Sequence, residues 1–531
     1  AGAVNPGFAP TADERAVIAQ ICERLDGLPL AIELAAARTR FLPPAALLSR
    51  LDRTLPLLAV GPRDAPAHQR TMGDTIAWSH DLLNEQERRL FRRLAVFAGG
   101  WEVRAAEAVG GEGDGTLAAL SGLVEQSLVV AQPTGAVGTT RQRLLEPIRQ
   151  FAAAQLLLVG EETRARRAHA DYYLRLAERT APELFAVGQA AALDYLEAES
   201  DNFRLALDRL LSDGRDDAAS RLGTALHRFW WIRGHLTEGR RWREWIVPRL
   251  NALAPPLRAQ TLLTAAFLAY ADGDHRGADT YLAEAIPLAR ETNERIIVAR
   301  ALGLRGLAAH GLGEPDRARA ALISGFEEAQ EVDDAWAIGM TRTHLGYISH
   351  ATGDYFCADD TLARAERNWR ALGSSWDLAY TINMRAAIAE WRDDFVTVAT
   401  LAGECLRLLL ALRDGWLLPY PFEQLAAVKL SAGDPCGAAR LQGAAARLRA
   451  TSGARIQFAV DRSLNEARLA ALRAALGPER FAAAFAAGET LPLQQAIGEA
   501  LASWSRDRPA RTLRYNAGGR PNTGALTERG Q

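Results

Sequence analysis

A signal that recurs every 40 residues constrains this chain more than any other feature in it. Gly273-Asp274, Gly313-Glu314, Gly353-Asp354, Asp393-Asp394 and Gly433-Asp434 stand at a constant spacing of 40. A fixed period in this range reads as a solenoid, a stack of helix pairs in which each unit buries its neighbour's apolar face. Small residues line up around the turns. Seven positions before each turn are Ala266, Gly306, Gly346, Ala386 and Ala426; five after it are Ala278, Ala318, Ala358, Val398 and Ala438. Two further columns follow, Leu282, Leu322, Leu362, Ala402 and Gln442, then Ala285, Gly325, Ala365, Cys405 and Ala445. Small side chains on facing helices let their axes approach closely. The glycine suits the left-handed residue that ends the first helix, and the acid after it suits the N-cap of the second. Trp336, Trp376 and Trp416 form one more column with the same period.

These columns resemble the tetratricopeptide repeat, in a variety longer than that family's usual 34-residue unit. The match is fullest from Gly346 to Ala358. It weakens where Asp393 replaces Gly and where Gln442 replaces a large apolar residue. A degenerate sixth unit is expected around Gly234-His235. The resemblance implies a mainly α fold, a tetratricopeptide-like solenoid.

Composition narrows the chemistry. The chain has 531 residues, enough for about three or four domains, and a net charge of −2, so no global field favours nucleic acid or membrane. Lys429 is the only lysine, and it sits in Ala-Val-Lys-Leu-Ser, not behind a Gly-rich turn. An ATPase phosphate loop of the Gly-Lys-Ser/Thr kind is therefore missing from this sequence. The cysteines Cys22, Cys357, Cys405 and Cys436 are scattered, which argues for a reducing compartment. The longest apolar run, 151–159, is too short to span a bilayer, and no signal peptide is seen. A cytoplasmic protein without membrane contact is expected. The sequence opens at Ala1, already inside a helical domain, and reads as a fragment.

The front of the chain carries a second resemblance. Gly27-Leu28-Pro29-Leu30 continues as Ala31-Ile32-Glu33-Leu34-Ala35-Ala36-Ala37-Arg38. Gly27 suits the end of one helix and Pro29 the first turn of the next. This stretch resembles the GLPL motif of signal-transduction ATPases of the STAND class, the NB-ARC type. There the motif opens a helix behind the nucleotide pocket and its proline packs on adenine, so the resemblance implies nucleotide contact by Gly27, Leu28, Pro29 and Leu30. Residues 41–68 read as a Pro-rich linker. Beyond it come amphipathic helices at 70–83 and 85–97, shorter helices near 103–109 and 115–126, and two strands at 127–131 and 140–145. Helices followed by a hairpin make a winged helix, the domain that follows GLPL in bacterial ATPase regulators. Leu144-Leu145-Glu146-Pro147 aligns with the family's Met-His-Asp, whose histidine contacts the β-phosphate of ADP. Glu146 matches the acid, while Leu145 replaces the histidine and cannot donate a hydrogen bond. That departure puts phosphate sensing in doubt.

Arg88, Arg89, Arg92, Arg93, Arg141 and Arg143 raise the question of DNA contact by the winged helix; a solvated arginine face is the plainer reading, and in the resembling family this domain regulates. Residues 161–250 read as helical. Within them Trp230, Trp231, Trp242 and Trp245 suit helix packing better than a ligand groove. The basic tail from Arg506 ends in Ala525-Leu526-Thr527-Glu528-Arg529, which resembles the opening of a LuxR-type helix-turn-helix. The expected layout is 1–55 for the helical end of an NB-ARC-like module, 56–68 linker, 69–160 winged helix, 161–505 solenoid, and 506–531 a linker toward a further helix-turn-helix.

No nucleophile elbow, metal-ligand pair or catalytic constellation is found, so turnover by this chain alone is not expected. The layout resembles bacterial ATPase–tetratricopeptide transcriptional regulators. That implies an inducer or partner protein on the repeats, ADP or ATP with magnesium in the full-length parent, promoter DNA on a C-terminal domain, and a nucleotide-dependent homo-oligomer. The alternative is a tetratricopeptide-like scaffold without nucleotide or DNA activity.

Overall fold

The computed structural model describes residues 11–24, 32, 35–36, 39, 43–49, 72–111, 114–133, 140–352, 354–452 and 459–502. Their contacts divide the chain into two compact units, 1–176 with 198–214, and 177–197 with 215–531. No helix among the described residues is long and apolar enough to cross a membrane.

The first unit holds a winged helix. Its described elements are α1 (Ala12–Arg24), α2 (Pro44–Leu48), α3 (Met72–Asp81), α4 (Glu85–Leu94), α5 (Val103–Gly110), α6 (Asp114–Glu125), β1 (Val130–Pro133), β2 (Thr140–Arg143) and α7 (Glu146–Leu158). Helix α2 stands inside the stretch read as linker, with Pro44 pre-set for a helix's first turn. A capping box of Asn84 and Glu87 starts α4, which buries Leu90, Phe91 and Leu94. The strands pair antiparallel with Val130 opposite Arg143. Trp101 extends the wing by exchanging backbone bonds with Gln142 (2.8 and 2.9 Å) and stacks on Phe97.

The sequence boundary at residue 160 does not coincide with the edge of this unit. Helix α8 (Glu162–Thr180) belongs to it up to residue 176, and α10 (Ser200–Ser212) belongs to it entirely; α9 (Gln189–Ala198) lies between them in sequence. The reason is polar. Asn202 accepts from Ala98 N (2.9 Å) and donates to Gly100 O (2.8 Å), while buried Glu199 takes Arg141 of the wing and Tyr173 of α8 (2.9 Å for the tyrosine).

The second unit is a solenoid of helix pairs. After α11 (Asp216–Arg233) and α12 (Leu236–Ile246) come α13 (Pro255–Ala271), α14 (His275–Glu291), α15 (Arg295–Gly311), α16 (Pro315–Glu331), α17 (Ala335–Ala351), α18 (Tyr355–Leu372), α19 (Ser375–Trp391), α20 (Phe395–Ala411), α21 (Pro419–Ser431) and α22 (Pro435–Ser452). The expected degenerate unit is the pair α11–α12, joined at left-handed Gly234 (φ 79°). Every small-residue column described above is buried. The acids cap as expected at four turns: Asp274, Asp354, Asp394 and Asp434 accept from the backbone three residues on (2.8–3.2 Å), whereas the longer Glu314 makes no cap bond.

A second series of turns is interleaved with the first. Asn293, Asp333, Gly373 and Arg413 are left-handed (φ 58, 53, 75 and 47°) and join each pair to the next. Both series share the Schellman bond, seen for Asp274 N to Ala269 O, Asp334 N to Ala329 O and Asp414 N to Leu409 O (2.9–3.0 Å). Asp393, which stands where the other turns have glycine, takes the same left-handed conformation (φ 58°). The last described elements are α23 (Ala459–Leu476), α24 (Pro478–Thr490) and α25 (Leu493–Leu501).

Candidate functional site

Gly27, Leu28, Pro29 and Leu30 lie outside the described residues. Glu146, the fifth residue of that expected site, opens α7 just ahead of Pro147. Its carboxylate accepts from Arg149 Nε (2.7 Å) and Nη2 (2.8 Å) and from Gln150 Nε2 (2.8 Å). Burial pushes this carboxyl up, but the Arg149 bonds and charge, the Gln150 bond and the charge of Arg24 together hold it below the usual carboxylate range. Arg24, the last residue of α1, stands within electrostatic reach of Glu146. Leu145 occupies the N-cap position and makes no side-chain cap. Glu146 is thus engaged by its own helix, and its neighbour offers no donor to a phosphate.

A cleft of about 390 Å³ adjoins this helix end within the same unit. Arg149, Arg166, Arg209 and Asp208 stand around it beside Leu156 and Leu205. Its basic groups already have acidic partners, Arg166 on Glu162 (2.7 Å) and Arg209 on Asp213 (3.0 Å). His169 also lines it; burial lowers its pKa to about 4 despite a contact with Asn202, so the ring is neutral at neutral pH.

In a helix-turn-helix the second helix enters the major groove. Here that helix is α6, Asp-Gly-Thr-Leu-Ala-Ala-Leu-Ser-Gly-Leu-Val-Glu, with two acids and no base. Four of the six arginines singled out in the sequence are held inside the domain. Arg93 is buried against Glu161 (2.8 Å) and Gly110 O (3.0 Å), and Arg141 is held by Glu199 and Gly100 O. Arg88 donates to Asp81 O (2.7 Å) and Arg92 reaches Glu85 (3.5 Å). Arg89 is exposed and Arg143 half-buried.

The inner side of the solenoid gathers the largest set of buried polar and aromatic groups. Distant repeats meet there: Gly415 N donates to Ile232 O (2.9 Å), and Trp416 Nε1 to Ala271 O (3.4 Å). The tryptophan column forms a ladder in which Trp336 Nε1 donates to Asp377 (3.1 Å) and Trp376 Nε1 to Asp414 (2.8 Å). Trp231 lies 4.9 Å from Trp376 and 5.5 Å from Trp416 between ring centroids. Arg228, 2% exposed, ion-pairs with Asp377 and donates to Leu184 O (2.9 Å). Its guanidinium stands 4.4 Å from the Phe185 ring centre and 5.5 Å from that of Trp376, a cation held in an aromatic cage. Beside it, Trp231, Phe267, Tyr270, Trp336, His344 and Tyr380 border a void of about 20 Å³, room for about one water.

Burial holds His344 at about 3 and His350 at about 4, both neutral. Burial also pushes Asp414 up to about 6, against four hydrogen bonds donated to it. This interior is closely packed, and among the described residues no group of three His, Cys, Asp or Glu side chains is placed to hold a metal.

The four tryptophans named from the sequence part ways. Trp230, Trp231 and Trp242 are buried; Trp242 donates to Ala219 O (2.9 Å) and Trp231 joins the inner cluster. Trp245 is half-buried under Arg249 (3.7 Å). The Arg228–Asp377 pair went unseen in the sequence because its members are 149 positions apart.

A winged helix-turn-helix domain model matches residues 83–157. The chain is 36% identical over 373 residues to proteins of Mycobacterium tuberculosis (strain H37Rv) and Mycobacterium bovis that carry the name HTH-type transcriptional regulator. That match covers 67% of this chain and 41% of each relative, so the chain spans well under half of their length. An uncharacterized Mycobacterium tuberculosis protein is 42% identical over 163 residues, covering 30% of this chain and 41% of that one. Among solved structures, a STAND protein with a tetratricopeptide repeat sensor from Pyrococcus horikoshii aligns with a TM-score of 0.42 and 12% identity, covering 89% of this chain and 74% of that one.

Proposed function

We propose that this chain is the sensor and regulatory portion of a nucleotide-switched transcriptional regulator. The observation that carries the reading is a winged helix-turn-helix whose groove-reading helix carries no positive charge, in one chain with a repeat solenoid. DNA affinity rests on neutralising phosphates, and α6 has nothing to do so with. The domain is then a regulatory element, and promoter DNA is bound by a further C-terminal domain of the full-length cytoplasmic protein. The names of the mycobacterial relatives agree with this role.

In this reading the repeats take up an inducer or partner protein. The winged helix and the Gly27–Leu30 stretch pass that event to an ATPase module, which exchanges ADP for ATP with magnesium and assembles into a homo-oligomer. This chain itself catalyses nothing. The test is on the full-length gene product: equilibrium binding of ADP and ATP, with sedimentation in each. Binding with a change of assembly is expected; neither binding nor reassembly sinks the proposal. A gel shift at low salt, where phosphate contacts are strongest, is expected to show no retardation of duplex DNA by the present chain.

Leu145 favours a second reading. With no donor at that position and Glu146 engaged by Arg149, the front end would be nucleotide-dead and the protein a partner-binding scaffold. A stable partner recovered equally with and without nucleotide would support it.

A further inference from the structure

The solenoid stack does not pass through every helix in turn. Helix α22 packs directly against α24, backbone to backbone: a Cβ on Gly443 would overlap the Phe485 carbonyl, and one on Gly488 the Arg440 carbonyl. The intervening helix α23 leaves the stack. Its side chains reach instead the first helices of three successive repeats. Asp461 accepts from the Tyr347 hydroxyl of α17. Arg468 grips Glu390 of α19 with two nitrogens (2.7 and 2.8 Å) and reaches Glu423 of α21 (3.4 Å). Glu423 also accepts from Arg449 of α22 (3.0 and 2.8 Å).

Among the described side chains of α23 one stripe is buried, Leu464, Arg468, Leu472 and Leu476, at successive intervals of four. Arg462, Ser463, Glu466, Ala470 and Arg473 face solvent. A helix seated in a groove is read by anchors at such spacings, and Asp461 to Arg468 adds a polar pair at i, i+7. The anchor is also chemically selective. Glu390 is fully buried and Arg468 4% exposed, a pair that an apolar contact of the same size would replace without the desolvation cost. Two-nitrogen recognition of a carboxylate discriminates arginine from lysine.

We propose that the face formed by Tyr347, Glu390 and Glu423 is a docking surface for an arginine-bearing amphipathic helix of a partner protein, and that α23 is its internal occupant, displaced on binding. The partner helix carries an arginine with leucines four residues to either side and an acid seven residues before it. This deepens the reading that the repeats take up a partner protein, and rests on it.

The test uses the whole chain and a synthetic peptide with the sequence of residues 459–476. Hydrogen exchange of the chain alone should show α23 amides exchanging at least tenfold faster than those of α19 and α21. Excess peptide should bind and speed exchange of the chain's own α23 further. Binding should fall at least tenfold for a peptide with Arg468→Ala, which needs no altered protein, and for the chain with Glu390→Gln. The proposal is overturned if α23 exchanges as slowly as α22 and α24 and the peptide does not bind, or if the Arg468→Ala peptide binds as well as the parent. None of these measurements involves nucleotide or DNA, so failure here leaves the nucleotide switch standing, and failure of the switch leaves this surface standing.

Discussion

Replacing Gly325 by alanine separates what the repeat pattern suggests from what the packing demands. Three of the four equivalent positions in the other repeats are alanine (Ala285, Ala365 and Ala445) and the fourth is Cys405, so by pattern alone Gly325→Ala looks harmless, even favourable by about 1 kcal/mol through helix propensity. In the structure Gly325 of α16 faces Gly303 of α15. A Cβ there would lie 2.7 Å from Gly303 N, 3.2 Å from Ala299 O and 3.2 Å from Gly303 Cα. Carbon contacts are relaxed at about 3.5–4.0 Å, and all three neighbours are backbone, so the helices must move apart by roughly half an ångström or more. Overpacking of this kind costs about 1–3 kcal/mol. Set against the propensity gain, the net is a loss on the order of 1 kcal/mol. Gly498→Ala in α25 is the control, since nothing lies within 4 Å of its Cβ; it should gain about 0.5–1 kcal/mol. Urea unfolding followed by circular dichroism measures both, with an unchanged m-value as the condition for reading the midpoint shift as stability. If Gly325→Ala proves as stabilising as Gly498→Ala, the close approach of α15 and α16 is wrong.

Other expectations follow from the same contacts. Asp377→Ala strands the buried Arg228 charge and should cost about 3–5 kcal/mol, while Arg228→Met with Asp377→Leu should recover most of it; equal losses in the single and double variants would refute the pairing. Arg413 is left-handed (φ 47°) with an exposed side chain, so Arg413→Gly should stabilise by about 0.5 kcal/mol, whereas Gly433→Ala (φ 83°) should destabilise by about 1 kcal/mol; thermal midpoints moving the other way would contradict the turn geometry.

Acid should weaken the solenoid. His344 and His350 stay neutral in the fold down to about 3 and about 4, while the unfolded chain takes up protons near 6.5. Their contribution is therefore complete above pH 6.5 and declines as pH falls toward those values. Asp414 and Asp461, raised to about 6 chiefly by burial, act in the opposite sense between about 6 and 3.8 and offset part of the loss. Urea midpoints should fall from neutral pH to about pH 5, less so for the His344→Gln, His350→Gln variant; a profile identical in both would refute the assignment.

Much of this was legible in the residues. The 40-residue period, the buried small-residue columns and the capping acids are local statements: a left-handed turn needs glycine or a tolerant residue, and a helix start needs a short acceptor. The interleaved turns at Asn293, Asp333, Gly373 and Arg413 were missed because four different residues fill one conformation. Asp333-Asp334 shows the difficulty. Two adjacent acids do different work there: Asp333 is the left-handed turn residue and Asp334 a cap that accepts from Trp336 N and Ala337 N.

The sequence by itself determined the helix pairs, their phase and the winged helix ahead of them, since these follow from periodicity, caps and hairpin pairing within about forty residues. Only the tertiary structure decided which buried charges meet. Arg228 finds Asp377, Arg468 finds Glu390, and Arg141 finds Glu199 across 149, 78 and 58 positions. It also decided that α23 leaves the stack and that the winged helix holds Arg88, Arg92, Arg93 and Arg141 in contacts of its own. The physical reason is common to all of these. A charge in the sequence looks solvated until the fold buries it, and its partner is then set by which distant segments the packing brings together, which no short window of residues records.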